Sequence, residues 1–125
     1  MKERVVHVLV VEDDEGLRPI LVQHLMRSGF RVAEADAAET AAAQVADGLR
    51  PALVLLDLNL PGETGWDLLR GEALAPAGRP PVVVMTATPV SPKRLRELSV
   101  AGYLPKPFAM ETLVATVERF VGVRR

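Results

Sequence analysis

The chain has 125 residues, with 15 Lys and Arg against 16 Asp and Glu, a net charge of −1, and no Cys. That length suits a single domain over residues 1–125, burying roughly two thirds of its unfolded surface around one core. The charge balance disfavours direct nucleic-acid binding, and the lack of Cys removes disulfides, thiolate chemistry and Cys-based zinc sites together. The longest early apolar run, Val5 to Val11, is interrupted by His7, is far too short to cross a bilayer, and lacks a signal peptide's cleavage pattern. A cytoplasmic domain without membrane contact is expected.

Val5 to Val11 reads as the first strand; it is nearly continuous, hence buried on both faces, and it ends in Glu12, Asp13 and Asp14. Leu17, Ile20, Leu21, Leu25 and Met26 then recur at helical spacing, with Pro19 delaying the regular hydrogen-bond ladder and Gly29 closing the helix. Phe30, Val32 and Glu34 form a shorter, more polar strand that belongs at a sheet edge. Asp36 to Glu39 has the capping-box pattern and opens an Ala-rich helix that Gly48 can end. The unbroken run Leu53 to Leu56 is the next buried strand and stops at one carboxylate, Asp57, with a turn forced soon after by Pro61 and Gly62.

Trp66, Leu68 and Leu69 make the inward face of a short helix, and Ala75 to Pro81 is a loop. Val82 to Met85 is a fourth strand, stopping at Thr86, Ala87 and Thr88. Ser91 and Pro92 give an N-cap followed by Pro in the first turn, and Leu95 and Leu98 supply a narrow apolar face. Val100 to Leu104 is a fifth, edge strand. Lys106 and Pro107 break the chain before a last amphipathic helix traced by Met110, Leu113, Val114, Val117 and Phe120.

Five strand and helix alternations imply an α/β fold, a doubly wound five-stranded parallel sheet with right-handed crossovers. Placing the two weaker strands at the edges gives the flavodoxin-like order 2-1-3-4-5, whose switch point lies between the first and third strands. Glu12, Asp13 and Asp57 then meet in one crevice. Three crowded carboxylates repel unless a cation neutralises them, and Mg²⁺ suits an all-oxygen site that must also leave room for phosphate oxygens. Thr86 and Lys106, at the ends of the fourth and fifth strands, add a hydroxyl and a fixed positive charge. A carboxylate so placed can act as a nucleophile and form an aspartyl phosphate. Asp14 reads as a helix cap or a solvated residue.

These motifs resemble the receiver domains of two-component response regulators (CheY-like) across essentially the whole chain. The matching elements are Glu12-Asp13-Asp14 after the first strand, Asp57 to Pro61 with Gly65 beyond it, Met85-Thr86-Ala87, and Tyr103 to Phe108 with Lys106-Pro107 at its centre. The resemblance implies that Asp57 is the phosphoacceptor, and that Glu12, Asp13, Asp57 and the main-chain carbonyl of Asn59 hold Mg²⁺. It implies that Thr86, Ala87 and Lys106 bind the phosphoryl group, that Thr86 and Tyr103 form the switch, and that Lys106-Pro107 is cis. The protein would be a phosphoacceptor that assists its own phosphoryl transfer and dephosphorylation, not a turnover enzyme. Its partners would be a sensor histidine kinase or phosphotransfer protein and a downstream output domain or protein, with a phosphorylation-dependent homodimer left open.

The chain departs from the family pattern in places. The interval from Thr86 to Lys106 is short and carries Pro89 and Pro92, so the fourth helix is expected to be short or displaced. Ala101 and Gly102 stand where regulators with winged-helix output domains carry an acidic pair, and Ala109 replaces the usual cap of the last helix. Two other functions compete. A phosphorylation-independent interaction module would keep the fold without the chemistry, which the five residues Glu12, Asp13, Asp57, Thr86 and Lys106 argue against. A Mg²⁺-dependent phosphohydrolase would need a second Asp at position 59, which is Asn. Trp66 reads as a packing residue, His24 as a flank of the first helix, and Lys93, Arg94 and Arg96 as a solvated basic face.

Overall fold

The computed structural model describes residues 2–60 and 65–123. The chain alternates β1 (Arg4–Val11), α1 (Leu17–Arg27), β2 (Val32–Ala35), α2 (Ala38–Ala46), β3 (Leu49–Asp57), α3 (Gly65–Arg70), β4 (Val82–Thr86), α4 (Pro92–Glu97), β5 (Gly102–Pro105) and α5 (Met110–Val121). The five strands form one parallel sheet in the order β2-β1-β3-β4-β5, as the distribution of continuous and weak apolar runs predicts.

Strand alternation explains why the central runs lack polar residues. Val8 and Val10 of β1, Leu53 and Leu55 of β3, and Val83 and Met85 of β4 face α1 and α5, where they pack with Leu21, Leu25, Leu113 and Val117. The intervening Leu9, Val11, Val54, Leu56, Val82 and Val84 face the opposite layer and meet Ala38, Ala41, Val45 and Leu68. A polar residue on either face of these strands would be buried without water. Because the strands are parallel, their C-terminal ends line one edge of the sheet, and every loop leaving that edge can reach every other.

Several local expectations are modified. The helix ends at Gly29 and Gly48 hold, with φ of 93° and 112°, the left-handed region glycine adopts freely. Lys106-Pro107 is cis. Pro19 falls in the first turn of α1, where it displaces no interior bond. The capping box at Asp36 does not form: α2 is capped by Ala37 with no side-chain bond, and the Asp36 carboxylate instead accepts a hydrogen bond from Thr40 Oγ1 at 3.0 Å. The helix starts one residue later than that pattern requires, which puts the carboxylate out of register with the free N–H groups. β3 is longer than its apolar run, beginning at Leu49 and passing through Pro51; β4 pairs with it only from Val54 onward, so the residue without an N–H sits where β3 has one strand beside it. The segment Ala75–Ala77 makes a single 3-10 turn within the predicted loop. The turn expected at Pro61 and Gly62 lies outside the described residues.

The α3 N-terminus packs directly on the end of β3. A Cβ added at Gly65 would stand 2.4 Å from the main-chain oxygen of Asp57 and 2.8 Å from Leu58 Cα. Both are backbone atoms, so neither can step aside cheaply. Gly65→Ala is therefore expected to destabilise the domain by about 1–3 kcal/mol in chemical denaturation. An unchanged midpoint would show that α3 is not seated as closely as this.

Candidate functional site

β1 and β3 are neighbours in register, Val11 opposite Leu56, so the next residues, Glu12 and Asp57, emerge side by side at the C-terminal edge of the sheet. Carboxylate oxygens of Glu12, Asp13 and Asp57 lie within 4.8 Å of one another. Glu12 is fully buried and Asp57 nearly so, whereas Asp13 is partly exposed. Lys106, carried in by β5, places its Nζ 2.6 Å from Glu12 Oε1 and 3.1 Å from Asp57 Oδ2. The other Asp57 oxygen, Oδ1, accepts the main-chain N–H of Asn59 at 2.9 Å. Asp57 is thus fixed in direction by its own loop on one side and by a distant lysine on the other.

The electrostatics follow from burial. Glu12 is pushed up to about 7, chiefly by loss of water and then by its hydrogen bond and repulsion with Asp57, with Lys106 pulling the other way. Burial is the largest single influence on Lys106 and works to lower it, but the hydrogen bonds and charges of Glu12 and Asp57 together outweigh it and hold the ammonium above its usual value. One cation thus faces three carboxylates, and the site is short of positive charge. A hard cation with oxygen ligands would supply it, and the donor set here is all oxygen. Asp14 belongs to a different structure. Its Oδ1 accepts the main-chain N–H groups of Gly16 at 2.8 Å and Leu17 at 3.0 Å, which lower its pKa and secure the start of α1.

Thr86 is buried at the end of β4, and Ala87 beside it is exposed. Tyr103 is half-buried on β5 opposite Val84, while Thr86 is opposite Pro105. Alternation places Tyr103 and Thr86 on the same face of the sheet, the one covered by α2 and α3. Sequence reasoning missed three features. The Asn59 side chain reaches Thr86, donating from Nδ2 to Oγ1 at 2.8 Å. Arg18 donates to the main-chain oxygen of Glu12 at 2.9 Å while pairing with Glu15 and Glu34, and so ties the acidic strand end to α1 and β2. Arg94, read as part of a solvated face, lies 4.8 Å over the Trp66 ring. Glu12 and Glu15 lie within six residues of Arg18, but Glu34, Thr86 and Trp66 are far along the chain from the residues they meet.

Comparison with known proteins gives this arrangement a context. The response regulator receiver domain, as a family, matches residues 8–118. The transcriptional regulator NtrC of Azospirillum brasilense, described as DNA-binding, is 37% identical over 115 residues, covering 90% of this chain and 23% of that protein. The chain spans less than half the length of the curated relatives it matches first. The chemotaxis protein CheY4 of Vibrio cholerae has a similar structure, with a TM-score of 0.81 at 26% identity, covering 94% of this chain and 99% of that one. The response regulator TrrA of Thermotoga maritima, solved in complex with Mg²⁺ and BeF, gives a TM-score of 0.78 at 25% identity over 91% of this chain and 97% of its own. With that sheet order, and with Glu12, Asp13 and Asp57 gathered in an acidic pocket typical of a phosphoacceptor site, the chain belongs to the receiver domains of two-component response regulators.

Proposed function

We propose that Asp57 accepts a phosphoryl group from a histidine kinase or phosphotransfer protein. The observation that carries this reading is the placement of Asp57 beside Glu12 at adjacent strand ends, with Lys106 Nζ touching both. A carboxylate oxygen of Asp57 forms the new O–P bond as the P–N bond of the donor phosphohistidine breaks, and the electron pair of that bond returns to the imidazole nitrogen. No general base is needed, since the nucleophile carries no proton to remove.

Glu12, Asp13, Asp57 and the main-chain carbonyl of Asn59 are the residues that would hold Mg²⁺. When bound, the ion neutralises the carboxylates and the charge on the transferring phosphoryl oxygens. The remaining work falls to the chain itself. Lys106 offers its ammonium to a phosphoryl oxygen, in exchange for part of its present contact with Asp57. The Thr86 hydroxyl and the main-chain N–H of Ala87 serve the other oxygens. Nothing at position 59 can act as a second acid: Asn59 donates to Thr86 and Thr88, which supports a phosphoacceptor over a phosphohydrolase.

Movement of Thr86 toward the phosphoryl group vacates space on the face that Tyr103 shares, and the surface of α4, β5 and α5 changes with it. The domain in this reading is a cytoplasmic switch that assists its own phosphorylation and dephosphorylation without turning over a substrate. An output domain or protein receives the signal, in keeping with relatives in which the receiver is less than half of the chain.

Incubation with acetyl phosphate and Mg²⁺ is expected to add one phosphoryl group by intact-mass spectrometry. Asp57→Asn or EDTA should abolish the addition, and equal labelling of the Asn variant would refute the assignment. Calorimetric titration with Mg²⁺ distinguishes the neighbouring acids. Asp13→Ala is expected to weaken binding at least about tenfold, as loss of a direct carboxylate ligand does. Asp14→Ala should leave affinity nearly unchanged while loosening α1. The reverse order would mean the acidic loop is read in the wrong register.

A further inference from the structure

Beyond the main-chain carbonyl that would serve the metal, the Asn59 side chain makes the shortest hydrogen bond to the Thr86 hydroxyl among the described residues. Asn59 Nδ2 donates to Thr86 Oγ1 at 2.8 Å and to Thr88 Oγ1 at 3.2 Å. The main-chain N–H of Thr88 donates to the same Thr86 oxygen at 3.1 Å. A hydroxyl has two lone pairs and one proton. Both lone pairs of Thr86 are therefore occupied, one by the loop after β3 and one by the loop after β4, and the hydroxyl is held in a fixed direction.

We infer that the Asn59 side chain is a latch: a positioning residue that holds Thr86, and through Thr88 the start of the β4–α4 segment, in the resting arrangement. This deepens the phosphoacceptor reading and rests on it, because Thr86 must leave Asn59 in order to turn toward a phosphoryl oxygen. The segment then keeps only shallow packing, Val90 and Leu95 lying partly buried against the core. α4 has six residues, none of them buried. The Ser91 hydroxyl caps the helix internally, accepting the Arg94 N–H at 3.1 Å, and the Arg94 guanidinium over Trp66 ties it to α3. Between these lies a cleft of about 300 Å³ lined by Asn59, Trp66, Thr86, Thr88 and Arg94, space into which the segment can rearrange without breaking the core.

The latch sets a ratio of populations, since a bond made in only one of two states biases the equilibrium by its own strength. An amide to hydroxyl bond of ordinary net strength corresponds to about threefold to tenfold in that ratio. Asn59 is exposed, and the buried Thr86 oxygen keeps the Thr88 N–H when the amide is removed, so the variant should fold.

The test is backbone NMR of wild type, Asn59→Ala and Thr88→Val, each in Mg²⁺ with and without beryllofluoride. Without beryllofluoride, the Thr86, Thr88 and Tyr103 signals of Asn59→Ala are expected to lie on the line joining the free and beryllofluoride-bound wild-type positions. Their displacement should correspond to about threefold to tenfold more of the bound-like state. Thr88→Val keeps the Asn59 to Thr86 bond and its own N–H, so its displacement should be smaller and in the same direction. The latch is overturned if Asn59→Ala signals stay at the free wild-type positions or leave that line. If the wild type itself shows no response to beryllofluoride that depends on Asp57, the phosphoacceptor reading fails, and the latch fails with it.

Discussion

The contact of Lys106 with two buried carboxylates on neighbouring strands is the constraint on which the rest of the site depends. Ionised carboxylates side by side in a nearly dry place are unstable, and either one would take up a proton or rebuild its surroundings without an opposing charge. The 2-1-3 part of the sheet order brings Glu12 and Asp57 together, and the far edge strand, β5, brings the cation. The lysine must cross the end of β4 to do this, which is why Thr86 and Ala87 lie along its path. A site short of positive charge is poorly suited to a resting structural role and well suited to receiving a metal ion and then a phosphoryl group.

The same arrangement explains how a local event could travel. Thr86 is at once the end of a buried strand and the meeting point of two loops. Tyr103 shares its face of the sheet. α4 is the most weakly attached helix in the layer above, its half-buried Leu95 touching the core from outside. The sheet beneath is packed on both faces and cannot deform gradually, so a change at Thr86 is relieved outward, into the β4–α4 segment and α4. At Gly102, a Cβ would come within 3.2 Å of Val83 Cγ2, giving a packing reason for glycine where winged-helix regulators were expected to carry an acid. Of the basic residues on α4, Arg94 is answered within the helix itself by Glu97 at 3.5 Å.

The fold was legible because its signals are collective. Runs such as Leu53 to Leu56 can be satisfied only by burial on both faces, and three of them flanked by two weaker ones leave few sheet orders. The acidic cluster was legible for the same reason, since each acid follows a buried strand whose end position the topology fixes. Single-residue signals did worse. Asp36 and Glu39 had the spacing of a capping box, but a helix start displaced by one residue was enough to defeat it. Asn59 was read through its backbone, and nothing local discloses that its amide would face two hydroxyls 27 and 29 residues away, at the end of β4 and just beyond it. The shortness of α4, by contrast, was announced by Pro89 and Pro92, because proline acts on the backbone that carries it.

Burial, and after it the neighbouring Asp57, raises Glu12, and Lys106 alone does not offset them in the resting site. Carbon-13 NMR titration of the Glu12 and Asp57 carboxyl groups, with and without Mg²⁺, measures this directly. Metal-free protein should show a Glu12 step near pH 7, far above an ordinary carboxylate, and Mg²⁺ should move that step to lower pH by favouring the ionised form. A Glu12 group that titrates in the ordinary carboxylate range with and without metal would contradict it.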